Sequence, residues 1–310
     1  MKIAAPLAYC GPLASPANLV SMAVRAETLG YDFVWMGEHI YYPKAMKGRY
    51  PYTVDGSLPI TPRFDYFEIL TSFAFLAART SRLRFHTNIL MPAIRSPFLA
   101  AKQIATLDSL SGGRVTVALG LGWMIDEYEL VGTPWRERGK YLDEWIVAIR
   151  AFMAGAPFEG RYFRFEEGWF EPKPSMMPFP FWIGGDSDAA VRRAAQLGQG
   201  WEPVGPADIA EKCLWLHERL ERITEMRADG PQQGAPFHVL TSCGYQGTGR
   251  GANAIRAAKS RLQDDIGHLA EAGVDHLIVR FNELNADDLE QVMDEAEWFA
   301  QDLLPWAQGL

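Results

Sequence analysis

The sequence lacks most of the features that would place it outside ordinary α/β enzymes. It has only three cysteines in 310 residues, Cys10, Cys213 and Cys243, far apart and without CxxC spacing. That spacing excludes a disulfide framework or a cysteine-zinc cluster and fits free thiols in a reducing compartment. No Lys/Arg run exceeds a pair such as Arg192-Arg193 and the net charge is −8, so nucleic acid finds little electrostatic support here. Uninterrupted apolar windows of about 18 residues are missing, and no membrane span is expected. The apolar start Met1–Ala8 is short, broken by Pro6 and soon followed by a helical pattern carrying Arg25 and Glu27. It does not read as a signal peptide, and the expected location is cytoplasmic. No two histidines show metal-ligand spacing, so no metal site is expected. Linkers rich in Gly and Ser, repeats and low-complexity tracts are also missing, which leaves one domain over residues 1–310.

What is present is a regular alternation of short apolar runs with amphipathic helical stretches, the pattern of βα units on a parallel sheet. Strands are expected at Lys2–Ala8, Asp32–Met36, Arg82–Leu90, Arg114–Leu119, Phe181–Gly184, Gly200–Pro203, His238–Ser242 and His276–Arg280. Eight such strands close a (β/α)8 TIM barrel of about 250 residues plus insertions. Helices are expected at Pro16–Leu29, Tyr66–Arg79, Pro97–Leu110, Trp135–Met153, Asp186–Leu197, Pro206–Arg227, Asn253–Ala272 and Ala286–Leu304. Ser15-Pro16 and Ser96-Pro97 place a capping hydroxyl before a first-turn proline. Gly30 and Gly198 occupy positions suited to left-handed C-terminal caps. Two stretches break the rhythm. Residues Ile40–Arg63, with four prolines and several tyrosines, form a long loop after the second strand. Residues Gly155–Pro180 read as a hairpin insertion before the fifth barrel strand.

Barrel enzymes gather their chemistry just beyond the C-terminal ends of the strands. At those positions stand Glu38-His39, Asn88-Ile89, Gly120-Leu121-Gly122-Trp123, Gly184-Gly185-Asp186-Ser187, Glu202 and Arg280. Gly184–Ser187 opens a helix directly after a strand, where exposed N–H groups and the helix dipole suit a phosphate; a plain tight turn is the alternative. Gly120-Leu121-Gly122 lacks the third glycine of a dinucleotide fingerprint, so its small residues are expected to let a flat ring approach the backbone. Trp123 could stack on that ring or simply pack. His39 is a candidate acid/base, with Glu38 to orient it or contact a cofactor. His86 reads as structural, and Arg114, Arg138, Asp143 and Glu144 as an ion-pair set away from the chemistry.

Taken in order, Phe33–His39, Ala105–Arg114, Gly120–Trp123, Glu127-Tyr128, Pro172-Lys173-Pro174, Pro180–Gly185 and Gly198–Trp201 resemble the luciferase-like monooxygenase superfamily. The style is similar to its coenzyme F420-dependent oxidoreductases. That resemblance implies a deazaflavin, coenzyme F420, or alternatively FMN, across the barrel mouth with its phosphate on Gly184–Ser187. It further implies a non-proline cis peptide at Asn88-Ile89 and a homodimer. The sugar-phosphate dehydrogenases of the group carry aspartate where this chain has Glu38, and their glutamate after the Gly-x-Gly turn has only Asp126 and Glu127 nearby. A larger, partly apolar small-molecule substrate is expected instead, near Tyr41, Tyr42, Tyr50 and Tyr52. The expected activity is hydride transfer between deazaflavin and substrate. The alternatives are an FMN-dependent monooxygenase using O2 and, from another class, a non-catalytic flavin-binding barrel.

Overall fold

The structure is a computed structural model that describes residues 1–51, 53, 55–58, 64–244, 256, 259–281 and 283–310. Tyr52, Pro59 and Pro62 of the long loop, and residues 253–255, 257 and 258 of the seventh expected helix, lie outside the described residues.

Strands β1 (Lys2–Ala5), β2 (Phe33–Met36), β3 (Arg84–Leu90), β4 (Val115–Leu119), β7 (Phe181–Gly184), β8 (Gly200–Glu202), β9 (His238–Gly244) and β10 (His276–Arg280) pair in parallel and close into a barrel. β1 lies against both β2 and β10, which completes the circle and leaves no open edge. The antiparallel hairpin β5 (Phe158–Glu159) and β6 (Arg164–Phe165) stands outside it, as expected for the insertion. Helices α1 (Pro16–Leu29), α2 (Ile69–Ala77), α3 (Pro97–Ser111), α4 (Ile125–Val131), α5 (Arg138–Ala154), α6 (Asp188–Leu197), α7 (Ile209–Ala228), α8 (Lys259–Glu271), α9 (Leu289–Asp302) and α10 (Leu304–Gln308) complete the chain. No described helix is long and apolar enough to cross a membrane.

Buried β-branched and aromatic runs such as Phe33-Val34-Trp35-Met36 form strands covered on both faces, as parallel sheets require. Alternation decides which residues fill the barrel. Phe33, His86, Trp182, His238 and His276 touch ring to ring at centroid distances of 4.9–5.9 Å, although they come from five strands. Only inward-pointing side chains can meet across intervening strands, so these rings form the lower layer of the barrel interior.

Several local expectations are corrected. Ser15 caps α1 by accepting from Asn18 N–H, but the Ser96 hydroxyl makes no cap bond to α3. Gly30 is left-handed at φ 88°, whereas Gly198 is extended at φ −98° because the chain turns straight into β8. Helix α4 was not expected. At seven residues it makes about two turns, too short for a 3.6-residue period to be visible. The foreseen ion-pair set does not form. Arg114 donates to the carbonyls of Ser111, Leu83 and Ala77, while Asp143 pairs with Arg193. Arg138 caps the Trp135 carbonyl, and Glu144 accepts the N–H groups of Arg161, Tyr162 and Phe163 at the hairpin turn. The peptide between Asn88 and Ile89 is cis, and the β3–β4 register shifts between Thr87 and Leu90.

Candidate functional site

All eight barrel strands run the same way, so their C-terminal ends share one mouth. His39 emerges there from β2. Its Nδ1 lies 2.9 Å from Glu127 Oε2, and Glu127 Oε1 accepts the Ile40 N–H at 2.7 Å. Glu127 is 1% exposed and sits in the first turn of α4, where a carboxylate is favoured by the helix dipole. One residue earlier, Asp126 accepts the Lys47 N–H, so the start of α4 holds both His39 and the loop that follows it. The short helix that sequence periodicity missed therefore supplies the partner of the histidine.

Glu38 does something else. Its carboxylate accepts the Met91 N–H at 2.7 Å and pairs with the Arg95 guanidinium, which also bridges to Glu68. Burial pushes the Glu38 carboxyl up, and the Arg95 charge with the Met91 N–H opposes that push. Glu38 thus ties β2 to the segment after β3, and the contact with His39 is made by Glu127.

The imidazole of His39 stands among rings. Tyr42 lies at 5.0 Å, Trp123 at 5.5 Å and Tyr66 at 5.9 Å between centroids. Trp123 meets Tyr50 edge-on at 5.2 Å. Burial raises the Tyr42 and Tyr66 phenols well above the ordinary tyrosine range, so both remain neutral hydrogen-bond groups. Deeper in the mouth, Arg280 lies over the Trp35 ring at 4.6 Å, and Tyr9 meets that ring edge-on at 5.5 Å. Trp35 Nε1 and Glu283 Oε1 are buried there without a hydrogen-bond partner among the described residues. Such orphans are rare in folded proteins and mark places where a bound molecule can complete the bonding.

The glycines of the mouth have specific neighbours. A Cβ on Gly120 would overlap Ile89 Cδ1, and one on Gly184 would come within 3.0 Å of Ile89 Cγ2. Ile89 is therefore seated between the ends of β4 and β7. Gly120 gives room to this side chain on the side where its own Cβ would point. Gly122 is left-handed at φ 69° and a Cβ there would overlap Met91 Sδ. Asn88 donates to Glu202, whose other oxygen lies 2.8 Å from His86 Nε2, so His86 belongs to a buried cross-barrel network.

After β7, Gly185 at φ 117° turns the chain into α6. Asp186 accepts the N–H groups of Val204 and Gly205 at 2.8 and 3.1 Å, which secures the loop after β8. Ser187 caps α6 by accepting from Ala190 N–H. The N–H groups of Asp186, Ser187, Asp188 and Ala189 are left without an acceptor among the described residues. Four free donors at a helix N-terminus are the chemistry that a phosphate needs.

The model of the luciferase-like monooxygenase family matches residues 4–243. An uncharacterised protein of Mycobacterium tuberculosis is 34% identical over 230 residues, covering 73% of this chain and 77% of that one. An F420-dependent glucose-6-phosphate dehydrogenase of Nakamurella multipartita is 31% identical over 192 residues, 60% of this chain and 51% of its own. An FMNH2-dependent dimethylsulfone monooxygenase of Pseudomonas putida is 36% identical over 138 residues, 43% of this chain and 38% of its own. Among solved structures, a monooxygenase of Streptomyces bottropensis superposes with a TM-score of 0.72 at 19% identity, covering 99% of both chains. With a closed parallel barrel and a family match spanning most of its length, the chain belongs to the luciferase-like monooxygenases, a family of oxidoreductases with both F420- and FMNH2-dependent relatives.

Proposed function

We propose that this chain is a coenzyme F420-dependent oxidoreductase acting on a partly apolar organic substrate. The observation that carries this reading is the His39–Glu127 pair, set in an aromatic wall at the barrel mouth. The residues present fit such a cofactor. The free N–H groups of Asp186–Ala189 would hold its proximal phosphate, and Ile89, Asn88 and the orphan Trp35 Nε1 would bound its ring system. When bound, the deazaflavin supplies hydride chemistry that no side chain can perform.

The protein's own contribution is binding, orientation and proton management. Glu127 fixes the His39 ring through Nδ1 and leaves Nε2 to give or take a proton at the substrate. Tyr42, Tyr66 and Trp123 exclude water from the same space, which strengthens each polar contact inside it. The phenolic hydroxyl of Tyr42 adds a neutral donor for a substrate oxygen.

A second reading, reduced FMN with O2 in a monooxygenation, is favoured by the likeness to the Pseudomonas putida enzyme. Separate titrations of the purified chain with F420 and FMN distinguish the two through absorbance and fluorescence. Tight binding of F420 with weak FMN binding is expected, and the reverse would install the second reading. If neither binds, the chain is a barrel of another class. With the cofactor identified, His39→Ala is expected to lower kcat by about 100-fold or more while cofactor affinity is retained.

A further inference from the structure

The opposite end of the barrel carries a cluster that the redox chemistry does not use. His238 and His276 are the first residues of β9 and β10, and Asp275 immediately precedes β10. Asp275 Oδ2 lies 2.6 Å from His238 Nδ1, and its Oδ1 lies 2.9 Å from His276 Nδ1. The three potential ligand atoms all fall within 4.8 Å of one another. We propose that His238, Asp275 and His276 form a three-ligand site for a divalent transition-metal ion of zinc-like preference, joining β9 to β10 at the N-terminal end of the barrel.

The donor set is two imidazoles and one carboxylate, which suits zinc, cobalt or nickel. Magnesium and calcium need more oxygens than one carboxylate supplies. Zinc bonds of about 2.0–2.2 Å place tetrahedral ligand atoms roughly 3.3 Å apart. The carboxylate–imidazole spacings of 2.6 and 2.9 Å therefore open by about half an ångström, a change within reach of side-chain rotation. In the metal-free form each Nδ1–H donates to the carboxylate. Binding requires each neutral ring to carry its proton on Nε2 instead, which frees Nδ1 for the ion.

Two further features make the site built rather than accidental. The backbones of all three residues are tied into the barrel: His238 N–H donates to Gln199 O, Asp275 N–H donates to Val239 O and Asp275 O accepts from Lys2 N–H, while His276 pairs in register with Lys2 of β1 and Leu240 of β9. The rings are held by Trp182, which stacks on His238 at 5.3 Å and meets His276 edge-on at 4.9 Å. Ligands supported in this way lose little freedom on binding. The cluster is also reachable, since the side chains of His238 and Asp275 are 40% and 44% exposed. At this end of the barrel the ion would act as a strand staple rather than a catalyst.

The test is titration of the EDTA-treated full chain with Zn2+ against a chromophoric chelator, and with Co2+ followed by visible absorption. One Zn2+ per chain, a Co2+ spectrum of low coordination number, and a rise in Tm with Zn2+ are expected. His238→Gln and Asp275→Asn should each weaken binding by at least about 10-fold. Their fold is checked by circular dichroism without metal; should Asp275→Asn fail to fold, His238→Gln on the partly exposed ring decides the question alone. Cys213→Ser should leave binding unchanged. Absence of saturable binding, binding unaffected by His238→Gln, or binding lost only in Cys213→Ser would each overturn the site.

Discussion

At the scale of single residues, the chemistry of the mouth depends on a contact between side chains 88 positions apart, His39 and Glu127. His39 was legible because a strand ending in an acidic residue and a histidine is a local pattern. Glu127 was not, because its role comes from where α4 lands and not from its immediate neighbours. Glu38 shows the converse: adjacency in sequence suggested a partnership with His39, yet consecutive side chains leave a strand end in opposite directions. Glu127→Gln should therefore keep cofactor binding and lower kcat by about 10–100-fold, with KM little changed, because an amide has one acceptor oxygen for the two N–H groups that Glu127 takes and holds the His39 ring less firmly. Steady-state kinetics beside a cofactor titration measures both quantities. An unaltered kcat would remove Glu127 from the chemistry.

Between elements, charged side chains do the tying. Arg95 joins Glu38 after β2 to Glu68 at the start of α2, with only 12% of its side chain exposed. Arg95→Ala leaves Glu38 buried and unpaired, a loss expected to cost about 3–5 kcal/mol in denaturant unfolding. Glu38→Gln should cost less, since Arg95 keeps Glu68. A second tie joins α1 to the turn before β3, where Glu27 accepts the N–H groups of Ser81, Arg82 and Leu83 at 2.5–2.9 Å. Burial raises the Glu27 carboxyl, but those three N–H groups outweigh it and the group ends below the usual carboxylate range. A depressed carboxyl contributes stability that is complete above its unfolded value of about 4.3 and is lost as pH falls through the folded one. Glu27→Gln should thus destabilise at neutral pH by about 1 kcal/mol or less, allowing for solvent screening. The difference from the parent should narrow as pH falls below about 4.3, which unfolding curves at pH 7, 5 and 3.5 will show.

For the whole molecule, closure of eight parallel strands makes stability and ligand binding properties of one cooperative unit. A cofactor that seats on β3, β4 and β7 together stabilises the entire barrel by mass action, by about 2.7 kcal/mol at 100 times its Kd. The correct cofactor should raise Tm by several degrees, and thermal scans with F420 and with FMN at equal multiples of their Kd should agree with the titrations. A rise with neither would contradict a mouth-bound cofactor. The same closure brings His238, Asp275 and His276 together at the other end, although a spacing of 37 residues between His238 and Asp275 gives no metal signature in a linear reading.

The sequence alone determined the architecture, because strand and helix periodicity, capping hydroxyls and turn glycines are local signals repeated at every βα unit. Phe181–Gly184 and His276–Arg280 are strands with the expected ends, and Pro16–Leu29 is a helix with the expected ends. It also placed His39, the Asn88-Ile89 peptide and Gly184–Ser187 at strand ends, hence at one mouth. The tertiary structure decided the partners: Glu127 for His39, Arg95 for Glu38, Ile89 for Gly120 and Gly184, Val204 and Gly205 for Asp186. Each of these pairings crosses from one βα unit to another. Their distances are set by barrel closure and loop packing, which no local pattern of residues encodes.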